Sequence, residues 1–90
     1  MKAHFDADLI DFPLTIRRPK PGDRFQPLGM QQHKKLSNFF IDEKLSLIQK
    51  EKIWLLTNGT DIIWIMGIRI DDRYKVTPKS KRILEIEIVE

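Results

Sequence analysis

Ile53-Trp54-Leu55-Leu56-Thr57-Asn58-Gly59-Thr60-Asp61-Ile62-Ile63-Trp64-Ile65-Met66 is the stretch that decides the fold. Two runs rich in branched and aromatic residues flank an Asn-Gly dipeptide, which accepts the positive φ angles of a tight hairpin loop. The pattern predicts a strand over 53–57, a turn at Asn58-Gly59 and a partner strand over 61–66. Trp64 stands among isoleucines, so at least part of the second strand must be core. Gly67 is expected to mark a bulge or close approach, with Ile68-Arg69-Ile70 continuing the strand and Arg69 facing away from its isoleucine neighbours. Beyond it, Asp71–Val76 reads as a charged turn, 77–82 as a basic loop and Ile83–Val89 as an alternating closing strand.

Upstream of the hairpin, Ser46 and Gln49 have the spacing of a capping box, predicting a helix from Leu47 to about Lys52. Leu36, Phe39 and Phe40 stand at i, i+3 and i+4, one face of a short helix over 34–42 that would carry Lys34 and Lys35 in its first turn. Cations there oppose the helix macrodipole, which fits either a bound anion or a merely solubilising surface. Residues 12–18 alternate Phe12, Leu14 and Ile16 with Pro13, Thr15 and Arg17, as in a half-buried edge strand that delivers Arg17 or Arg18 to the solvent side. A short strand near His4–Phe5, followed by a turn around Asp6–Asp11, opens the chain. The expected fold class is α+β: a mostly antiparallel sheet or small sandwich, with two short helices inserted between the first strands and the hairpin.

Ninety residues make one domain, 1–90. The absence of cysteine excludes disulfides and thiol chemistry, and fits a reducing compartment. No apolar run approaches the length of a membrane span, so the chain is expected to be soluble and cytoplasmic. Charge is unevenly spread: residues 12–82 hold 15 basic and seven acidic side chains, a net of +8, while the two ends carry −2 and −3. A basic centre with acidic margins suits a polyanionic partner, with a mixed solvated surface as the plain alternative.

The densest constraint lies in Arg17-Arg18-Pro19-Lys20-Pro21-Gly22-Asp23-Arg24-Phe25-Gln26-Pro27-Leu28-Gly29-Met30. Pro21-Gly22-Asp23 and Pro27-Leu28-Gly29 read as stiff turns bracketing Arg24, and Asp23 is the only acid between residues 12 and 41. Several cations around two turns suit phosphate better than a single carboxylate. No reaction centre accompanies them. His4 and His33 lack a ligand-spaced partner, no glycine-rich phosphate loop occurs, and no nucleophile has an evident base. Asp71-Asp72 could hold Mg²⁺, but Arg69 and Arg73 flank the pair and favour an ion-pair network. Trp54, Trp64 and Phe5 could stack bases, with core packing the stronger reading for Trp64.

Three segments together carry a family pattern: the 21–30 turn region after Arg17-Arg18, the run Lys34-Lys35-Leu36-Ser37-Asn38-Phe39-Phe40-Ile41-Asp42-Glu43-Lys44, and Trp64 with Gly67–Thr77. They resemble the C-terminal domain of bacterial tRNA(Ile)-lysidine synthase. The resemblance implies a fold related to a domain of the phenylalanyl-tRNA synthetase β-subunit. It also implies a non-catalytic piece of a ligase that attaches lysine to the wobble cytidine of an isoleucine tRNA. ATP and Mg²⁺ would then belong to an N-terminal catalytic domain, whose Ser-Gly-Gly-type loop does not occur here, and this domain would meet the acceptor stem. The RNA-binding residues expected are Arg17, Arg18, Arg24, Lys34, Lys35, Arg69, Arg73 and Lys75. Gln32, Ser46, Lys50 and Lys52 depart from the family pattern, and the two lysines offer no planar fork. The competing expectation is a packing domain that binds the rest of its enzyme, or a second copy as a homodimer, through edges near Phe12 and Val89.

Overall fold

The central strand is Asp61–Ile65 (β6 below), and the computed structural model, which describes residues 1–89, explains why its sequence does not alternate. Ile62 and Ile65 pack into one core cluster with Phe25, Leu36, Phe39, Phe40, Ile53 and Leu55. Ile63 and Trp64 pack into a second with Ala3, Phe5, Ile10, Leu56 and Tyr74. Both faces of the sheet are thus covered, which removes the need for a polar side. The pairing slips between Leu56 and Thr57, which face Trp64 and Ile62, so Ile63 is the extra residue of a β-bulge. The bulge is what allows two consecutive side chains, Ile63 and Trp64, to reach the same cluster.

In chain order the elements are β1 (Lys2–Asp6), β2 (Thr15–Arg17), β3 (Arg24–Phe25), β4 (Lys34–Lys35), α1 (Leu36–Asp42), α2 (Leu47–Glu51), β5 (Leu55–Asn58), β6 (Asp61–Ile65), β7 (Arg69–Ile70) and β8 (Ile83–Glu87). Single 3₁₀ turns occupy Ala7–Leu9 and Asp72–Tyr74. A four-stranded antiparallel sheet runs β2-β5-β6-β7; a β1–β8 ribbon covers the Trp64 side, and the β3–β4 ribbon with α1 covers the other. This is the expected α+β class, with both helices between the first strands and the hairpin. Among the described residues no helix is long and apolar enough to cross a membrane.

Local expectations fared unevenly. The Ser46 capping box forms as read: the Gln49 N–H donates to Ser46 Oγ at 3.1 Å and the Ser46 N–H to Gln49 Oε1 at 2.8 Å. Leu36, Phe39 and Phe40 are the buried face of α1. Lys34 and Lys35, however, precede the helix as a strand paired with Arg24-Phe25, because Asp23 accepts the Leu36 N–H at 3.0 Å and draws that backbone into the ribbon.

The hairpin loop lies one residue later than expected, at Gly59-Thr60, because the Asn58 side chain is held inside. Its amide donates to Leu9 O and Tyr74 Oη and its oxygen accepts from the Asp11 N–H. Only Gly59 of the two loop residues has positive φ (60°), the type II′ pattern. Gly67, at φ 81°, turns the chain back so that Arg69-Ile70 pairs antiparallel with Trp64-Ile65; the strand reverses where continuation was expected. Of the apolar positions in the 12–18 alternation, only Leu14 packs against a core cluster. Phe12 and Ile16 are 68% and 55% exposed; β2, which starts only at Thr15, is an edge strand of the four-stranded sheet.

One buried acid ties the 24–30 loop to the sheet. Asp71, fully buried, accepts from the Gln26 N–H at 2.9 Å, the Arg73 N–H at 2.8 Å, and Arg73 Nε and Nη2 at 3.0 and 2.9 Å. Asp71→Ala strands a guanidinium and a backbone N–H, and is expected to destabilise the fold by on the order of 3 kcal/mol in urea unfolding. An unchanged midpoint would remove Asp71 from this role.

Candidate nucleic-acid interface

The basic loop is built around two turns. In the first, the Asp23 N–H returns to Lys20 O at 3.2 Å with Pro21 and Gly22 between them, and Gly22 takes φ 87°, the type II requirement. In the second, the Met30 N–H reaches Pro27 O at 2.9 Å and Gly29 again takes φ 87°. The second turn is pinned to the sheet: Leu28 N–H donates to Ile70 O, Gly29 N–H to Asp72 Oδ1 and Asp72 N–H to Gln26 O, at 3.1, 3.0 and 2.7 Å. Both turns stand as expected.

Most of the expected phosphate-binding cations are held by carboxylates. Arg17 grips Asp23 with a two-pronged pair, Nη1 to Oδ2 and Nη2 to Oδ1, both 2.9 Å. Lys34 bonds Asp42. Arg69 Nη2 donates to Glu43 Oε1 at 2.7 Å, and Lys75 Nζ to Asp72 Oδ1 at 3.0 Å. Arg73 is absorbed by Asp71, with Asp61 at 3.5 Å. The oxygens of Asp71 and Asp72 are thus taken up by Arg73, Lys75, Gln26 and backbone N–H groups, while Arg69, expected to flank this pair, turns to Glu43.

Three of the eight remain without a carboxylate partner among the described residues: Arg18, Arg24 and Lys35. Arg24 and Lys35 stand directly opposite each other in the β3–β4 register, both exposed. Beneath them Phe25 is fully buried, edge-on to Phe39 with ring centroids 5.0 Å apart, so the ribbon presents its two cations on an anchored base. Lys35 also lines a cleft of about 340 Å³ with Lys20, Gly22, Ser37 and Phe40. Lys20 was not among the expected contacts, although its place before the Pro21-Gly22 turn was a usable signal. A larger groove of about 550 Å³ runs beside β1 and β7, but Lys2, His4, Arg69 and Lys75 on its rim all face carboxylates.

Arg18 is held differently. Its guanidinium lies over the Trp54 ring, 3.6 Å from the centroid, with Nη1 donating to Ile53 O at 2.9 Å. Trp54 is 43% exposed, whereas Trp64 and Phe5 are buried in the second core, which excludes the latter two from base stacking.

The Arg17–Asp23 clamp has a titration signature. Burial disfavours the ionised Asp23, but the Arg17 hydrogen bonds, the Lys20 N–H and the neighbouring charges outweigh it and hold the carboxyl below its ordinary value. The Asp23 hydrogen bond in turn raises Arg17.

A family model described as the TilS substrate C-terminal domain matches residues 14–88. Over 87 residues the chain is 46% identical to tRNA(Ile)-lysidine synthase of Parabacteroides distasonis, covering 97% of this chain and 20% of that protein. Over 83 residues it is 40% identical to the tRNA(Ile)-lysidine synthase of Caldanaerobacter subterraneus subsp. tengcongensis, covering 92% and 18% respectively. The chain therefore spans about one fifth of the length of these curated relatives. A crystal structure of a TILS C-terminal domain superposes with a TM-score of 0.77 at 20% identity, covering 93% of this chain and 65% of that one. An N-terminal fragment of the phenylalanyl-tRNA synthetase β-subunit from Pyrococcus horikoshii gives 0.78 at 20% identity, covering 93% and 26%. At that identity the two solved structures establish a shared fold.

A depressed carboxyl stabilises the fold fully above its unfolded value, near pH 3.9, and loses that contribution as pH falls through the folded value. Urea midpoints measured between about pH 5 and pH 2 are expected to fall more steeply for the native chain than for Asp23→Asn. Identical profiles would show that the clamp contributes nothing.

Proposed function

This chain belongs to the TilS substrate C-terminal domain family, the C-terminal domain of tRNA(Ile)-lysidine synthase, and on that premise we propose that it is the tRNA-docking domain of such an enzyme. It grips the acceptor-stem region through phosphate and ribose. The remainder of the parent enzyme, in the cytoplasm, uses ATP and Mg²⁺ to join lysine to the wobble cytidine of an isoleucine tRNA. The domain itself supplies binding and orientation and no reacting group.

The observation that carries this reading is the Arg24–Lys35 pair. Like charges directly opposite on a ribbon destabilise it by some tenths of a kcal/mol, roughly 0.2 to 1. A phosphate between them converts that repulsion into two charge-assisted hydrogen bonds. Duplex RNA offers phosphates and 2′-hydroxyls across a wide, shallow groove, and a rigid cationic ribbon reads that shape with little dependence on base sequence.

A second reading rests on α1 and α2, where Ile41, Leu47 and Ile48 are 69%, 69% and 65% exposed. Here the domain packs through its helices against the parent enzyme or a second copy and binds no RNA by itself.

Affinity of the 90-residue chain for an isoleucine tRNA and for an acceptor-stem minihelix, at several salt concentrations, separates the two. Docking through phosphate predicts that log K falls linearly with log salt, and that Arg24→Ala and Lys35→Ala each lower the slope by about 1 whatever the stem sequence. Salt-independent binding, or no binding together with a mass that rises with concentration, decides for packing.

A further inference from the structure

The Arg18–Trp54 stack is built unlike the Arg24–Lys35 ribbon, and its construction suits a different ligand. A guanidinium that serves phosphate works with its edge. Here the Nη1 edge donates to Ile53 O at 2.9 Å and one π-face covers the indole at 3.6 Å from its centroid. Arg18 nevertheless remains an exposed residue, and among the described residues no second ring stacks on its guanidinium. Trp54 beneath it keeps 43% of its surface accessible, in a chain whose other tryptophan, Trp64, is 2% exposed. The hydrogen bond to Ile53 O fixes the plane, so little conformational freedom is lost when a second flat group settles on it. Flat groups that stack on such planes in nucleic-acid complexes are nucleobases. A base inside an A-form duplex is enclosed by its neighbours and out of reach of a surface platform, whereas an unpaired base is free to lie on it. Cations for the adjoining phosphates are at hand in the sequence. Lys20 and Lys52 each lie two residues from a member of the stack, and neither has a carboxylate partner among the described residues.

We propose that the Arg18–Trp54 stack is a seat for one unpaired RNA nucleobase, which extends the indole–guanidinium pair by a third layer. This rests on the RNA-docking reading and adds to it: the ribbon around Arg24 and Lys35 holds paired stem, and the stack holds a nucleotide that has left it. The binding energy is dispersion and cation–π attraction, which tolerates any base.

The test uses two RNA hairpins with the same stem, one blunt and one with a short single-stranded tail. The native chain is expected to prefer the tailed hairpin by about tenfold, and that RNA alone is expected to quench the exposed Trp54. Arg18→Lys keeps the charge and removes the plane, so the tailed-to-blunt ratio should fall to near one; Trp54→Leu should do the same. Urea curves for both variants establish that they fold, and Arg18→Lys, an exposed charge-conserving change, carries the test if Trp54→Leu does not. A ratio near one in the native chain, or one that Arg18→Lys leaves intact, overturns the seat while leaving stem docking in place. Binding to neither hairpin overturns both.

Discussion

The Asp71 carboxylate holds together the parts of this domain that would otherwise be independent. It is fully buried, and it sits where β7 ends, the 3₁₀ turn begins and the 24–30 loop passes closest. A buried carboxyl group is tolerable only when its oxygens are hydrogen-bonded, and here two backbone N–H groups and the Arg73 fork serve them. The backbone N–H of Asp71 closes the arrangement by donating to Ile63 O at 2.8 Å, the carbonyl of the bulge residue. The bulge in β6 and the acid after β7 are therefore two ends of one connection. Among the described residues no buried side-chain polar atom lacks a partner, as a network of this kind requires.

That network also decides which charges are left for a ligand. The central basicity is real, but much of it is internal: Arg17, Lys34, Arg69, Arg73 and Lys75 each answer an acid, and several of these pairs position the loops rather than face outward. Most of these acids lie within eight residues of their cation; Glu43 for Arg69, and Asp61 as a second acid for Arg73, come from farther along the chain. Of the cations around the two turns and the β3–β4 ribbon, those without a carboxylate partner among the described residues are Arg24 and Lys35 on the ribbon, Lys20 at the adjacent cleft, and Arg18, laid flat on an indole. A net positive count overstates the binding surface, since Coulomb attraction to a phosphate is quenched where a carboxylate already stands at hydrogen-bond distance.

The helices and the core hairpin were legible because their signals are local. Leu36, Phe39 and Phe40 mark a helical face by spacing alone, and the Ser46–Gln49 cap closes within one turn, so no distant residue can alter either. The misreadings share an opposite cause. Asn58 looks like a turn residue until Leu9, Asp11 and Tyr74 are seen to claim its side chain. Lys34 and Lys35 look like a first helical turn until the 24–25 segment pairs with them. Phe12 and Ile16 look like one buried face with Leu14, yet only Leu14 packs on a core cluster, β2 being an edge strand.

For this protein the sequence by itself determined the class of fold, the family and the presence of a stiff, basic, turn-rich surface, because turn chemistry, helix spacing and motif order are properties of neighbouring residues. Only the tertiary structure decided which cations are available and which are already neutralised. That choice depends on where the folded chain puts each acid, Asp23 by the 20–23 turn against Arg17, Glu43 at the end of α1 beside Arg69 and the buried Asp71 against Arg73, and a Coulomb interaction falls with distance in space rather than along the chain.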